Sequence, residues 1–300
     1  MRILVLGGEG MLGHKMFQVL SAHFEQTRCS IFGHLSDPFY RAISLYNQQQ
    51  TMERVDAMDL SALRYALEAE RPDVIINCVG VVKQRQEARM AIPSITINSL
   101  LPHLLAEWAG SWGGRLIHFS TDCVFSGKKG NYREDDPSDA EDLYGKSKYL
   151  GEAAGANALT LRTSIIGREL DHFNALLEWF LDQNGKKVKG YRRVIYAGVT
   201  TNHLADLVAK IIGDFPLLTG LYQVTAPPID KYELLIRLRD AFNLDIEIIA
   251  DASEVSDRSM NGARFLRATG YREPKWDELI AGLTQDKTPY DQWQRKRKHV

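Results

Sequence analysis

Three glycines, Gly7, Gly10 and Gly13, follow at once on the apolar run Ile3-Leu4-Val5-Leu6 and open an amphipathic stretch. This feature constrains the fold more than any other. A strand that turns tightly into a helix needs backbone without Cβ, and the last glycine lets the helix lie close to the strand. The first-turn N–H groups of such a helix favour an anion placed before them. The chain is therefore expected to begin with a strand–turn–helix unit that receives an anionic group such as a pyrophosphate.

The pattern repeats. Short apolar runs at 29–32, 74–79, 116–119 and 159–166 alternate with helical patterns at 15–24, 61–70 and 95–109. Unbroken apolar strands between helices predict a parallel sheet covered on both faces. Pro102 should kink the third helix or delay its start. Beyond Gly167 the rhythm changes: a helix over 171–184, a polar stretch over 185–193, a helix over 202–213, a strand over 221–225, a helix over 232–242, a strand over 245–250 and a loop-rich end. The expected fold is α/β, a doubly wound parallel sheet with a smaller C-terminal substrate lobe. Residues 1–167, completed by about 194–226, would form the nucleotide-binding core; 168–193 and 227–300 would form the lobe.

Charge and cysteine usage exclude several classes. A formal net charge of −1 gives no field to draw nucleic acid or an anionic membrane, and the basic run Arg295-Lys296-Arg297-Lys298 reads as a solvated end. Cys29, Cys78 and Cys123 form no paired framework, which fits a reducing compartment. No apolar run is long enough for a membrane span, and the first strand is too short for a signal peptide. A cytoplasmic protein is expected. The eight histidines show no metal-ligand spacing, so no metal is expected.

Tyr144 and Lys148 stand four apart, hence on one helical face, with Asp142 placed to cap that helix. A nearby ammonium lowers the pKa of a phenol, so that it exchanges a proton with a carbonyl or alcohol oxygen. Thr121 ends the strand at 116–119, where ligands bind in open α/β sheets. The ribose-reading position after the second strand reads Phe32-Gly33-His34, without a carboxylate. That admits NADPH, with NADH as the alternative, and His34 or Arg41 could hold a 2′-phosphate.

These stretches together carry a resemblance: residues 4–13 (LVLGGEGMLG), 72–80 (PDVIINCVG), 120–125 (STDCVF), 132–137 (YREDDP), 144–152 (YGKSKYLGE) and 161–164 (LRTS). The chain resembles the extended short-chain dehydrogenases, most closely the dTDP-4-dehydrorhamnose reductase-like branch. The resemblance implies a Rossmann-type fold with Thr121, Tyr144 and Lys148 as catalytic residues. It also implies a dinucleotide held by Gly7, Gly10, Met11, Leu12, Gly13, Asp59, Leu60, Asn77, Val79 and Gly80, together with His34, Tyr144 and Lys148. The implied reaction is reduction of the C4 ketone of a nucleotide-diphospho-4-keto-6-deoxy sugar for surface polysaccharide synthesis, by an enzyme that forms a homodimer.

Two positions depart from that branch, which usually has Tyr at Cys123 and Trp at Ile165. The dehydratases of the wider group carry an Asp–Glu pair after the catalytic Thr; Asp122-Cys123 is not one. Cys123 instead resembles the cysteine of epimerase-reductases such as GDP-fucose synthase, with His172 as its partner. Asn174, Arg192 and Arg258 are further substrate-binding candidates, the arginines because a guanidinium grips a diphosphate in two places. A third reading is a non-catalytic regulatory subunit, a role that relatives of the branch play for methionine adenosyltransferase.

Overall fold

The computed structural model describes residues 1–82, 89–171 and 173–293; His172 and the basic run at 295–298 lie outside them. The chain runs β1 (Ile3–Leu6), α1 (Met11–His23), β2 (Thr27–Ser30), α2 (Pro38–Ala42), β3 (Thr51–Met52), α3 (Leu60–Glu70) and β4 (Val74–Asn77). Then come α4 (Ala91–Pro93), a π-helical turn (Ser94–Leu100), α5 (Leu101–Ser111), β5 (Arg115–Ser120), α6 (Leu143–Leu150), β6 (Ala158–Arg162), β7 (Ile165–Ile166) and α7 (Leu176–Leu181). Next are β8 (Lys187–Tyr191), β9 (Val194–Tyr196), β10 (Val199–Thr200), α8 (Thr201–Asp214), β11 (Gly220–Gln223), β12 (Ile229–Asp230) and α9 (Lys231–Ala241). The last elements are β13 (Glu247–Asp251), β14 (Ser256–Asp257), α10 (Ala263–Thr269) and α11 (Trp276–Thr284).

Seven strands form one sheet in the order β11-β6-β5-β4-β1-β2-β3, every pair parallel. The order reverses between β1 and β4, which makes the crevice at the carboxyl ends of those strands the expected ligand site. Alternation along β1 shows why both faces are covered. Ile3 and Val5 join the core under α1 and α8, while Leu4 and Leu6 join the core under α3 and α5. Smaller sheets, β12-β9-β14, β13-β8 and β10-β7, lie outside the main one.

Some elements differ from expectation, each for a local reason. The run 159–166 splits, because β7 leaves the large sheet to pair with β10. The polar stretch 185–193 contains β8, whose charges pair outward, Lys187 with Glu247 and Lys189 with Asp251. The helix predicted over 171–184 shrinks to α7. The end is helical: α11 buries Trp276, Leu279, Ile280 and Leu283. Pro102 delays α5 as expected, and the π-helical turn ahead of it keeps the axis continuous. Among the described residues, no helix is long and apolar enough to cross a membrane.

Candidate active site

The glycine turn is built for an anion. Gly7 has φ +77°, a conformation that favours glycine. A Cβ on Gly13 would overlap the Gly7 carbonyl oxygen, so α1 can approach β1 this closely only with glycine there. Above Gly10 the nearest atom to such a Cβ is 3.5 Å away, which leaves the turn open. No side chain caps α1, so the N–H groups of Met11 and Leu12 remain for a ligand. Val79, past the end of β4, packs its side chain against Gly7. These features fit a dinucleotide pyrophosphate.

At the next crossing, Thr121 follows β5. Its hydroxyl donates to Asp122 Oδ1 at 3.0 Å and accepts from the Cys123 N–H at 3.1 Å. The Tyr144 phenol lies close to Thr121, Cys123 and Asp122. Asp142 caps α6 through Gly145 N–H at 2.7 Å, as expected. Gly145 explains how α6 comes so near: a Cβ there would overlap the Cys123 carbonyl oxygen and lie 2.7 Å from the Ala140 Cβ. Gly151 likewise lets α6 touch the Asn98 backbone.

Lys148 is buried, and its Nζ donates to the Phe119 carbonyl at 2.6 Å. It also lies 3.4 Å from His118 Nε2. Behind it, Asn77 accepts from the Val79 N–H through Oδ1, so its Nδ2 donates to His118 Nδ1 at 3.1 Å. His118 is thus the packed, hydrogen-bonded residue expected. Its pKa is held well below the usual range, first by burial and then by Lys148. Burial lowers Lys148 to about 8, with Glu152 opposing. Burial raises the Tyr144 phenol, with Thr121 opposing. The expected lowering of Tyr144 is not found, because burial is the largest influence on the phenol and raises it. A phenol in this state carries its proton.

Beside Thr121 several charges gather, of which the sequence reading named Arg258 and Arg192 but not Lys231. Asp122, raised by burial, faces Arg258 and the half-buried Lys231. Arg258 is oriented by Nε donating to the Phe125 carbonyl at 2.9 Å. Arg192 stacks 3.9 Å over the ring of Tyr232, the neighbour of Lys231. Tyr196 also lies close to Asp122 and Cys123. Asn174 is exposed ahead of α7, with no contact joining it to this cluster among the described residues.

Past the end of β2, His34 is held by Glu53 at 3.2 Å and by Arg54. Asp59 is exposed and caps α3 through Ala62 N–H at 2.9 Å, while Leu60 packs against the core. Sequence reasoning missed Asn98, Glu9, Lys231 and Tyr196. Asn98 is fully buried, bonds both Val81 N–H and C=O, and donates to Ser147 on α6. A lone Asn in an apolar helical stretch was its one signal.

Comparison with known proteins adds independent findings. The family model RmlD substrate binding domain matches residues 1–214. The Bacillus subtilis (strain 168) spore coat polysaccharide biosynthesis protein SpsK is 24% identical over 96% of this chain and 98% of its own. Methionine adenosyltransferase 2 subunit beta of Pongo abelii is 27% identical over 81% of this chain and 72% of its own. Among solved structures, a dTDP-4-dehydrorhamnose reductase from Bacillus anthracis in complex with NADP superposes with a TM-score of 0.73 at 19% identity, covering 94% of this chain and 98% of the other.

Proposed function

The chain belongs to the RmlD substrate binding domain family, the dTDP-4-dehydrorhamnose reductase-like branch of the extended short-chain dehydrogenases, and from that premise we propose that it reduces the C4 ketone of a nucleotide-diphospho-4-keto-6-deoxy sugar. One observation carries the reading: Thr121, just past the carboxyl end of β5, and the Tyr144 phenol on α6 lie close together, and Lys148 stands one helical turn further along α6. When bound, a nicotinamide dinucleotide would supply hydride to the ketone carbon. Gly7, Gly10 and Gly13 would receive its pyrophosphate, and Lys148 its nicotinamide ribose.

The chain's own groups divide the remaining work. Tyr144, kept protonated by burial, donates to the forming alkoxide, and Thr121 holds the same oxygen. Asn98 fixes α6 and hence both catalytic side chains of that helix. Arg258, Lys231 and Arg192 supply cations for the diphosphate of the substrate, which makes the small sheets the substrate lobe. Ile95, Leu100, Tyr149 and Leu150 are exposed on the packed π-helical turn and α6, and this apolar face supports a homodimer. Three free cysteines are in keeping with a cytoplasmic setting.

The test is a screen of 4-keto-6-deoxy sugars on dTDP, GDP, UDP and CDP with either reduced dinucleotide. Dinucleotide oxidation that disappears in Tyr144→Phe supports the reading; none with any substrate refutes it. A second reading rests on the place of Cys123 beside Tyr144: its thiol would move a proton at a carbon flanking the ketone, and solvent deuterium at C3 or C5 of the product would reveal it. A regulatory role like that of the methionine adenosyltransferase beta subunits predicts instead that Tyr144→Phe keeps full biological activity.

A further inference from the structure

In Rossmann folds an acidic residue after the second strand hydrogen-bonds the ribose 2′-hydroxyl, and its negative charge disfavours a 2′-phosphate. Here that stretch, Phe32-Gly33-His34, has no carboxylate. The fold brings one from elsewhere. Glu9, inside the glycine turn, reaches across to the end of β2, where its Oε2 accepts the Phe32 N–H at 2.8 Å and the Tyr40 hydroxyl at 2.7 Å. Tyr40 is itself fixed. It is 7% exposed, packs edge-on against Tyr46 at 5.8 Å, and its hydroxyl accepts the Gly33 N–H at 3.1 Å. Among the described residues, no hydrogen bond engages Glu9 Oε1.

Among the described residues, no ion pair joins Glu9 to a cation of this loop. Arg54 is joined to His34, and His34 to Glu53, whose Oε2 also accepts the Leu35 N–H at 2.7 Å. Asp37 accepts the His34 N–H at 2.7 Å. The loop thus sets three carboxylates, Glu9, Asp37 and Glu53, against two guanidiniums, Arg41 and Arg54.

We propose that Glu9 takes the ribose-reading role that β2 leaves vacant and makes the enzyme selective for NADH over NADPH. This deepens the dinucleotide-dependent reading above and rests on it. The free oxygen of a fixed carboxylate accepts from a ribose hydroxyl; a phosphate at the same carbon meets like charge. The absence of a carboxylate in Phe32-Gly33-His34 would by itself admit NADPH, and Glu9 removes that allowance.

The test is a fluorescence titration giving Kd for NADH and NADPH with wild type, Glu9→Gln and Glu9→Ser. The Gln variant keeps an acceptor for Phe32 and Tyr40, and its melting temperature reports the fold. Wild type is expected to bind NADH at least about tenfold more tightly, a difference of about 1.4 kcal/mol. Glu9→Gln is expected to narrow the ratio to within about threefold, chiefly by gaining affinity for NADPH. Equal or tighter NADPH binding by wild type, or an unchanged ratio in both variants, overturns the proposal while leaving the functional reading intact. Folded wild type that binds neither dinucleotide overturns both.

Discussion

Lys148 gives the account its sharpest dependence on pH. Its ammonium is buried, which lowers its pKa to about 8 from an ordinary 10.5. In the role proposed for it, Lys148 would donate to the ribose hydroxyls as an ammonium, so dinucleotide affinity should follow its protonation in the free protein. From pH 7 to pH 9 its protonated fraction falls about tenfold, so affinity should fall by up to about tenfold over that range. Stability moves the other way. Between about 8 and 10.5 the unfolded chain holds a proton on Lys148 that the folded chain has lost, so stability rises with pH across that window. Below it, the buried charge costs on the order of 3 kcal/mol. Fluorescence titration of the dinucleotide at stepped pH, with urea unfolding at pH 7.5 and 9.5, measures both trends in wild type and Lys148→Met. Wild type should show the fall in affinity and the rise in stability, and the variant neither. A flat affinity profile in wild type, or the same profile in Lys148→Met, would refute the reasoning.

Other outcomes follow from the packing. Gly145→Ala places a Cβ against the Cys123 carbonyl and Ala140; overpacking should cost about 1–3 kcal/mol, and the displaced phenol should lower kcat about a hundredfold, read by melting and steady-state rates. Gly13→Ala should abolish dinucleotide binding or folding, since α1 could no longer approach the Gly7 carbonyl, which a binding titration and circular dichroism would separate. Leu100→Glu with Leu150→Glu should convert a dimer to monomers without loss of secondary structure, seen by sedimentation; an unchanged assembly would count against the apolar face as the interface.

Much of the fold could be read from periodicity. The inner strands β1 and β4 are almost wholly apolar because they are covered on both faces, and glycine marks the close approaches of α1 and α6. The spacing of Tyr144 and Lys148 placed both on α6, and Asp142 announced the start of that helix. What stayed hidden depends on long-range approach. Glu9 and Phe32 are 23 residues apart, and only the β1–β2 pairing joins them. Lys231 faces Asp122 because α9 starts beside the active site, which no local spacing encodes. The charges of β8 disguised an exposed edge strand as a loop, since its partner strand supplies their counterions from sixty residues on. The expected lowering of the Tyr144 phenol is not found, because its burial, which no motif encodes, acts the other way.

The central claim is that this chain passes hydride to a sugar ketone with Tyr144 as proton donor. Supplying dinucleotide deuterated at nicotinamide C4 with the 4-keto-6-deoxy nucleotide sugars, and reading the product by mass spectrometry and proton NMR, tests it directly. Wild type should place deuterium at C4 of one product, and Tyr144→Phe should slow label transfer by about a hundredfold or more. Tight dinucleotide binding with no label transferred to any of these sugars would contradict it.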